Sequence, residues 1–420
     1  MTEENKLAEL PVLVIGAGCS GLAIAHGLHM KGIPCKVFER DSTLSLRNGR
    51  DWGIACHWST PMLASLIGEA KWSRISEALV DPHLPVKDVD MCPLYNGKTG
   101  EVLTYMPMPN LHRILRSRLR SFLAEDKDVV DVHYGKKLER IEYAEDGYSV
   151  VAHFADGTFE GGRMVIGADG SQSRVRSLLL GPEKAKLKRL PLAATFVTAT
   201  FPRERALRIR KAGHAILNGA IHPDNMMGFW SLLNGADKDR PENWEFATYI
   251  SWPSSIEEQA AEAAAGMGVR ERLAQSKEKS KAFAEPLRNC YEWMPDDLDK
   301  VYYGGNANWD PSLPEHEWDN HGGLVTLVGD AAHPMTYHRG QGLNHSIADA
   351  FKLVELLANP ENRSQAELIS AYESEMRPRG GEEVRLSEMN SFMLHDWAKV
   401  SQSPLVNRGV AYGSEGNTKT

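Results

Sequence analysis

The sequence predicts an α/β fold built around a parallel sheet, and three observations support the prediction. The apolar, β-branched run at residues 12–15 is typical of a buried parallel strand. Three glycines with the spacing G-x-G-x-x-G follow it and lead into a helical pattern at residues 20–30. Two similar strand candidates, at residues 163–167 and 324–328, occur far along the chain, and each is followed by an acidic residue. Strand, turn and helix in this order are typical of doubly wound sheets.

The glycine spacing after the first strand predicts a phosphate-binding turn. The first glycine permits a tight turn, the second lets the backbone approach a pyrophosphate, and the third lets helix and strand pack closely. The start of the following helix offers free N–H groups and a partial positive charge to the phosphates. The residues predicted to contact a dinucleotide here are Gly16, Gly18, Ser20 and Gly21.

A second strand candidate strengthens this prediction. Residues 33–38 form it, and it ends at Glu39, which lies 23 positions after Gly16. A carboxylate about 20 residues beyond the glycine turn is placed to bind the ribose hydroxyls of a nucleotide. The alternative is a glycine-rich turn in an unrelated α/β protein, with Glu39 as a solvated charge at a strand end.

The composition is that of an ordinary globular protein and argues against some classes. The chain has 420 residues, of which 42% are hydrophobic and 25% charged, and this suits two or three packed regions. A formal net charge of −8 argues against a general nucleic-acid or anionic-membrane binder.

Targeting and metal signals are not found in the sequence. The first residues are polar, without the apolar core of a signal peptide, and no apolar run is long enough to span a bilayer. The five cysteines are scattered, which is typical of reduced thiols, and no metal-ligand spacing occurs. We therefore predict a cytoplasmic protein with no metal site and leave its oligomeric state open.

The middle of the chain predicts a second layer. Between about residues 181 and 303, strand candidates precede helical ones, as in a sheet with appended helices. We expect this part to cover the parallel sheet and to bind a substrate. Other helices are predicted from Asn110, as a cap, to about residue 124, and separately at residues 366–376 and 380–392.

Three further motifs follow the glycine turn in a fixed order. They are Val165-Ile-Gly-Ala-Asp169-Gly170-x-x-Ser173-x-x-Arg176, Leu327-Val-Gly329-Asp330-Ala-Ala-His333-Pro334 and Gly340-Gln-Gly342-Leu343-Asn344. In this combination the chain resembles the group A FAD-dependent monooxygenases, the para-hydroxybenzoate hydroxylase-like family. In detail it is similar to the fungal members that tailor natural products, and the resemblance extends from about residue 10 to residue 395.

The resemblance implies FAD as cofactor and NAD(P)H as co-substrate. It implies a Rossmann-like FAD-binding domain, a β-sheet substrate domain and C-terminal helices. Asp169 would lie beside FAD and the incoming nicotinamide nucleotide, and Asp330 would accept hydrogen bonds from the ribityl chain of the flavin. Helix capping is the alternative role for both aspartates.

The glycine-rich motif before the long helix would place a helix N-terminus against the flavin. The resemblance implies that this segment directs N–H groups at flavin N1 and the C2 carbonyl, where reduction places negative charge. In the family, the reduced flavin then reacts with oxygen to give the C4a-hydroperoxide that donates an oxygen atom. The residues concerned are Gly340, Gly342, Leu343 and Asn344.

Arginines are also expected near FAD. Arg40 is a candidate near the adenine. The family carries an arginine at the start of a helix in the pattern R-x-x-L-x-x-x-L, and Arg116 fits it, with Arg113 as a rival one turn earlier. The alternative for either of these two is a solvated helix charge.

Two regions are candidates for catalysis. Arg50 and Asp51 fall where the family has residues between flavin and substrate; Arg50 would lie near the cofactor, and Asp51 would be a general base or a salt-bridge partner. Tyr337 stands where family members commonly carry a proline, in the loop against the oxygen-activating face of the flavin. That departure leaves the type of reaction open.

Together these features predict an FAD-dependent monooxygenase that uses NAD(P)H and O₂ to hydroxylate or epoxidise a small aromatic, indolic or other apolar natural product. The alternatives are a flavin-dependent dehydrogenase, oxidase or isomerase on the same fold, and a non-catalytic FAD-binding protein. The predicted regions are residues 1–80, 108–180 and 304–360 for the FAD-binding domain, 81–107 and 181–303 for the substrate domain, 361–412 for a C-terminal helical segment and 413–420 for a disordered tail.

Overall fold

The computed structural model describes residues 10–44, 51–145 and 147–409. Within these ranges the strands form four sheets. The strands are β1 (Val12–Ile15), β2 (Cys35–Glu39), β3 (Gly53–Cys56), β4 (Val89–Asn96), β5 (Val102–Pro109), β6 (His112–Leu115), β7 (Val132–Tyr134), β8 (Leu138–Tyr143), β9 (Val150–Phe154), β10 (Phe159–Gly162), β11 (Met164–Gly167), β12 (Lys188–Thr200), β13 (Asn218–His222), β14 (Met226–Asn234), β15 (Glu245–Pro253), β16 (Val301–Asn308) and β17 (Val325–Leu327).

The α-helices of the same ranges connect and cover these sheets, and short 3₁₀ turns join several of them. The helices are α1 (Cys19–Met30), α2 (Thr60–Ile67), α3 (Glu69–Trp72), α4 (Arg116–Ala124), α5 (Arg174–Lys184), α6 (Arg203–Lys211), α7 (Ile256–Ala264), α8 (Val269–Ser280), α9 (Leu287–Glu292), α10 (Gly342–Ala358), α11 (Gln365–Leu394) and α12 (Pro404–Arg408).

The first sheet is parallel and has the strand order β17-β11-β1-β2-β7. All four residues of β1 are buried, because strands lie on both sides of it and helices cover the sheet. Helix α1 packs against α10, and both contribute to the apolar core around β1. The carboxyl ends of the strands therefore lie along one edge of a buried sheet, where α/β folds bind ligands.

The second large sheet has seven strands in the order β16-β12-β15-β14-β13-β4-β5. Its pairs are antiparallel except β13 with β4, which are parallel. Phe283 and Leu287 pack on one face, against Gly228 of β14. The opposite face carries Phe196, Phe229 and Tyr249, and Tyr337 from the loop before α10 packs against it.

The region before α4 differs from the prediction. Residues 112–115 are strand β6, which pairs with β3, and the helix begins only at Arg116. Asn110 has a φ of 51° and lies in the turn between β5 and β6, so it does not cap the helix. The pairing with β3, which is distant in sequence, overrides the local helical pattern.

The C-terminal segment also differs from the prediction, because the two expected helices form one helix, α11, of 30 residues. Pro378 lies inside it. Gly380 and Gly381 follow, and a Cβ added at Gly380 would lie 2.8 Å from the His333 ring. Close packing of the two glycines against neighbouring elements therefore keeps the segment helical where local propensity predicts a break.

The predicted domain limits remain a prediction. Strands β5 and β16 cross two of them, since β5 continues to Pro109 and β16 to Asn308. The predicted tail at residues 413–420 lies outside the described residues. Among the described helices, none combines the length and apolar character required to cross a bilayer.

Candidate functional site

The turns that follow three parallel strands lie side by side. The carbonyl of Ile15, at the end of β1, accepts a hydrogen bond of 2.8 Å from the N–H of Ala168, which follows β11. A Cβ added at Gly16 would lie 2.5 Å from the Ala168 carbonyl oxygen. Strand β17 continues the row beside β11. The turns at Gly16, Asp169 and Asp330 therefore share one edge of the sheet.

The glycine turn combines close packing with one open position. Gly16 has a φ of +112°, which L-residues rarely adopt, and a Cβ at Gly21 would overlap the Gly16 carbonyl oxygen. A Cβ at Gly18 would meet no protein atom closer than 3.9 Å. Helix α1 starts here without a side-chain cap. An accessible backbone and a helix N-terminus together form a cradle suited to a pyrophosphate.

Glu39 is buried at the end of β2 and is bound to the glycine turn. Its carboxylate accepts hydrogen bonds from the N–H groups of Ala17 and Asp41, both at 3.0 Å. A carboxylate has further lone pairs, so these bonds leave room for a hydroxyl donor. The ribose contact of Glu39 stays a prediction. The next residue, Arg40, is exposed.

Arg120 is a site residue that the sequence reasoning missed. It is buried on α4, its Nε donates to the Ala17 carbonyl at 2.9 Å, and it lies 3.7 Å from the Glu39 carboxylate. Its spacing could have indicated this role, since Arg120 lies four residues after Arg116 and therefore near the same face of the helix. Arg120 links α4 to the glycine turn.

Arg116 opens helix α4 beside Trp52. Its guanidinium lies 4.6 Å from the Trp52 ring centroid. Asp51 accepts hydrogen bonds from the backbone N–H of Ser117, at 3.2 Å, and from the Ser117 hydroxyl. Asp51 thus binds the first turn of α4, where a negative charge is favoured. Its role as a base stays a prediction, and Arg50 lies outside the described residues.

Asp169 caps a helix. Its carboxylate accepts hydrogen bonds from the N–H groups of Arg174, at 2.6 Å, and Val175, at 3.2 Å, and from the Ser173 hydroxyl. Burial raises the pKa of Asp169, although these hydrogen bonds oppose the shift. The capping role, given above as the alternative, is therefore what the side chain performs in the structure. Contacts of Asp169 with nucleotides stay a prediction.

Arg176 joins two of the turns. It is buried, and its guanidinium donates to the carbonyls of Ser171, at 2.5 Å, and Ala331, at 2.8 Å. Its charge also lies 4.9 Å from the Trp309 ring centroid. The sequence motif contains Arg176, but its spacing does not reveal that the side chain reaches the turn after β17.

Asp330 differs from Asp169 in having a carboxylate without a partner. Across the residues that the structure describes, the Asp330 carboxylate accepts no hydrogen bond, and its side chain is exposed. A Cβ at Gly342, in the first turn of α10, would lie 3.9 Å from its Oδ1. The surrounding protein still desolvates the carboxyl and raises its pKa, against the effects of Arg116 and Arg176. An unpartnered, partly desolvated acceptor is suited to a hydroxyl-bearing ligand.

The contrast between the two aspartates gives a testable prediction. Asp330→Ala is expected to weaken FAD binding roughly tenfold to 100-fold, as for a lost hydrogen bond to a charged group, with unfolding free energy of the apoprotein unchanged to about 0.5 kcal/mol. Asp169→Ala is expected to lower that free energy by about 1 kcal/mol through loss of the cap. Flavin fluorescence titration and urea unfolding measure the two quantities. Equal destabilisation by both variants would contradict the assignment.

Asn344 is buried and binds the segment after β3. Its side-chain oxygen accepts from the His57 N–H at 3.0 Å and the Ser59 hydroxyl at 2.9 Å, and its nitrogen donates to the Ala55 carbonyl at 3.0 Å. Its side chain therefore positions the start of α10, and the neighbouring Leu343 packs on the core. Helix α10 has no side-chain cap, so its first N–H groups are available to a ligand.

The loop before α10 is held in place by helix α11. Three side chains of the loop, at positions 336, 338 and 339, bond to this helix. Gly340 ends the loop in the left-handed conformation, with φ of 64°. The bonded pairs are Thr336 Oγ1 with the Ser387 carbonyl (2.8 Å), His338 Nδ1 with Ser391 Oγ (2.8 Å) and Arg339 with the Glu383 carboxylate (2.9 Å).

Tyr337 projects from this loop toward the seven-stranded sheet. Its ring lies 5.4 Å, edge to face, from the rings of both Phe196 and Tyr249. Phe229 stacks on Tyr249 at 4.9 Å, so these side chains form a continuous aromatic row across β12, β15 and β14. We use the name interdomain cleft for the region bounded by this row, Tyr337 and the start of α10 beside Asp330.

The residues of this edge fit FAD. An open backbone cradle at Gly18, an unpartnered Asp330 carboxylate and two helix N-termini without side-chain caps face the groups that a dinucleotide would present. Within the described ranges, no group of three or more His, Cys, Asp or Glu side chains is placed to hold a metal ion. All five cysteines are free thiols.

Comparison with known proteins identifies the family. A family model described as "FAD binding domain" matches residues 9–204 and 318–387. The FAD-dependent monooxygenase phnB of Penicillium herquei is 36% identical over 402 residues, which cover 95% of this chain and 94% of that protein. The FAD-dependent monooxygenase cctM of Talaromyces islandicus is 35% identical, with coverage of 95% and 96%.

Solved structures of low sequence identity share the fold. HpxO of Klebsiella pneumoniae, complexed with FAD and uric acid, superposes with a TM-score of 0.69 at 20% identity, covering 94% of this chain and 91% of that chain. The 2,6-dihydroxypyridine-3-hydroxylase of Arthrobacter nicotinovorans gives a TM-score of 0.71 at 18% identity, covering 92% and 93%.

The fold and the site define a flavoprotein oxidoreductase with an FAD-binding domain. The chain belongs to the FAD-dependent monooxygenases that share this domain, among which the relatives named above are fungal. The predicted resemblance, the fold class and FAD as cofactor are thereby confirmed.

Proposed function

We propose that this monooxygenase uses NAD(P)H and O₂ to hydroxylate or epoxidise a small aromatic, indolic or other apolar natural product in the cytoplasm. One observation carries the proposal: the aromatic row of Phe196, Tyr249 and Phe229 contacts Tyr337 in the loop before α10, and the start of α10 lies beside the Asp330 carboxylate. A planar apolar substrate held on this row would lie next to residues that fit the flavin.

The residues of the cleft each have a role in this proposal. When bound, FAD supplies the two-electron chemistry by which NAD(P)H and O₂ oxidise the substrate. The uncapped N-terminus of α10 stabilises negative charge placed against it. Asp330 orients the cofactor through a hydroxyl, and the aromatic side chains exclude water from the reacting groups.

Asp51 and Tyr337, the two candidates for acid–base catalysis, differ in their contacts. Asp51 would have to release the N–H and hydroxyl of Ser117 before it removed a proton from a substrate. Tyr337 is 37% exposed, and its ring packs at the edge of the aromatic row. Of the two, Tyr337 is the better placed to touch a substrate.

Isotope labelling tests the proposal. FAD-loaded protein is incubated with NADPH or NADH, ¹⁸O₂ and a panel of hydroxynaphthalenes and indoles. We expect substrate-stimulated NAD(P)H oxidation and one ¹⁸O atom in the product, measured by mass spectrometry. An oxidised product without label would contradict oxygen transfer.

Such an unlabelled product would support the second candidate, a flavin-dependent dehydrogenase or oxidase, and an unlabelled product of the same composition as the substrate would support an isomerase. The position of Tyr337 favours this second candidate, because its side chain extends from the loop before α10 toward the aromatic row. Release of hydrogen peroxide equal to the substrate consumed would identify an oxidase. Tyr337→Phe, which keeps the ring and removes the hydroxyl, shows whether this group takes part.

A further inference from the structure

Arg113 carries a charge without a partner. It lies on β6, directly opposite Ala55 of β3. Over the ranges the structure covers, its guanidinium donates no hydrogen bond and forms no ion pair, and its Nε is a buried atom without an acceptor. Leaving a buried charged donor unpaired is unfavourable. A ligand that supplied an acceptor would remove that penalty.

The Arg113 guanidinium lies near the aromatic row, and its strand partner Ala55 lies near the start of α10. Ala55, its partner across the strands, is in contact distance of Gly340, since a Cβ there would lie 3.8 Å from the Ala55 Cβ. On the other side, the guanidinium lies 5.8 Å from the ring centroid of Phe229, which stacks on Tyr249. Arg113 therefore faces the interdomain cleft where a substrate ring would lie.

Space beside the arginine depends on a glycine. Gly53 lies two residues before Ala55 on β3, and a Cβ added there would lie 2.9 Å from the Arg113 Nε. The strand therefore leaves the guanidinium room that a side chain would fill. The guanidinium therefore packs directly over the β3 backbone at this position.

Nearby titratable groups do not neutralise the charge. The ionisable groups that act on Arg113 are Cys92 and Tyr249. Burial raises the pKa of Cys92 to about 12 and that of Tyr249 well above its ordinary value, so both are uncharged at neutral pH. Burial also lowers the pKa of Arg113 to about 10, which still leaves it protonated at pH 7. The positive charge therefore acts on the cleft.

We propose that Arg113 binds an anionic oxygen of the substrate, a phenolate or a carboxylate, and holds the attached ring against Phe229 and Tyr249. This inference rests on the proposed function and adds a chemical class of substrate to it. A guanidinium presents parallel N–H donors to such an oxygen pair, and aromatic side chains stack on the ring that carries it. Arg113 is thus a specificity-determining residue.

Three probes with one ring system test the inference by calorimetry on the FAD-loaded enzyme. They are 2-naphthoate, 2-naphthol and the neutral 2-naphthamide. We expect the enzyme to bind 2-naphthoate or 2-naphthol at least roughly tenfold more tightly than the amide. Tighter binding of the naphthol, with the absorbance of its ionised form, identifies a phenolate site, and tighter binding of the naphthoate a carboxylate site.

Variants of the arginine separate its charge from its shape. Arg113→Gln is expected to reduce the preference to about twofold or less, and Arg113→Lys, which keeps the charge, to retain part of it. Arg140→Gln is the matched control, because Arg140 is exposed on β8 and pairs only with surface groups. FAD content and melting temperature show whether each variant is folded.

Two results would overturn the inference. One is that the wild-type enzyme binds 2-naphthamide as tightly as both 2-naphthoate and 2-naphthol. This result would contradict the inference without any variant. The other is an unchanged preference in folded Arg113→Gln. Failure of the proposed function is distinguishable, since it would appear as product without ¹⁸O while the binding preference persists.

Discussion

Gly18→Ala is expected to weaken FAD binding strongly and leave the apoprotein folded. A Cβ at Gly18 meets no protein atom closer than 3.9 Å, so the substitution causes no internal clash. The second glycine of this motif lets the backbone approach the pyrophosphate, and a methyl group would occupy that space. We expect the affinity for FAD to fall by about 100-fold or more, which is about 3 kcal/mol of binding free energy.

Gly21→Ala is expected to act differently, on the fold itself. Its Cβ would overlap the Gly16 carbonyl oxygen, a backbone atom that cannot move without displacing the turn. Overpacking of this kind costs about 1–3 kcal/mol of unfolding free energy. Urea unfolding of the apoproteins and fluorescence titration with FAD measure both effects. Gly161→Ala is the matched control, because no atom lies within 4 Å of a Cβ there. A Gly18→Ala variant with normal FAD binding would contradict the assignment of the glycine turn as the pyrophosphate site.

Asp349→Ala is expected to lower the unfolding free energy by about 3–5 kcal/mol, because it breaks a buried ion pair and, among the described residues, leaves Arg379 only the partly exposed Glu375 as an ion-pair partner. The Asp349 carboxylate is fully buried on α10. It accepts hydrogen bonds from the Gly329 N–H at 2.7 Å, from His333 at 2.6 Å and from Arg379 of α11 at 2.6 Å. One side chain thus joins the turn after β17 to two helices.

The pH dependence of this contribution follows from the direction of the pKa shift. Burial by itself would raise the pKa of Asp349, but His333 and Arg379 outweigh it and hold the pKa well below the ordinary value of 3.8. The stabilisation is therefore present above pH 3.8 and is lost as the pH falls through the lower pKa of the folded state.

Urea unfolding of wild type and Asp349→Ala at pH 5 and pH 7 measures this contribution. We expect the same large difference at both values, because the carboxylate is ionised in the folded and unfolded states alike. Asp396→Ala is the control: Asp396 forms an ion pair with Lys399 near the surface, which contributes about 0–1 kcal/mol. A loss near that of the control would contradict the assigned role.

The arrangement of the parallel sheet followed from local rules in the sequence. Residues 12–15 predicted a buried strand, the glycines after it a turn, and Glu39 the end of a neighbouring strand. The structure shows β1 flanked by β2 and β11, with those turns on one edge. These features could be predicted because each depends on backbone conformation or on burial of both faces of a strand.

Side-chain partners between distant segments could not be predicted in the same way. Arg120 bonds to a carbonyl 103 residues away and Arg176 to one 155 residues away. A charged residue on a helix has the same local pattern whether it is solvated or buried. The capping of α5 by Asp169 depends likewise on the shape of the intervening turn, which the sequence motif does not specify.

In two places local propensity predicted the wrong secondary structure, and long-range packing determined the observed one. Two helices were predicted, at residues 366–376 and 380–392, yet α11 runs unbroken to Leu394, and Gly380 lets it approach the His333 ring. Asn110 resembled a helix cap, but residues 112–115 extend to pair with β3. In both cases the partner that determines the local structure lies far away in the sequence.

The bonds between α11 and the loop before α10 limit how the enzyme can be recombined with its relatives. Thr336, His338 and Arg339 depend on partners about 50 positions downstream. A chimera whose crossover falls between residues 345 and 375 would combine a loop from one parent with a supporting helix from another. Crossovers before residue 330 keep the loop and its supporting helix in one parent, so they preserve these three bonds.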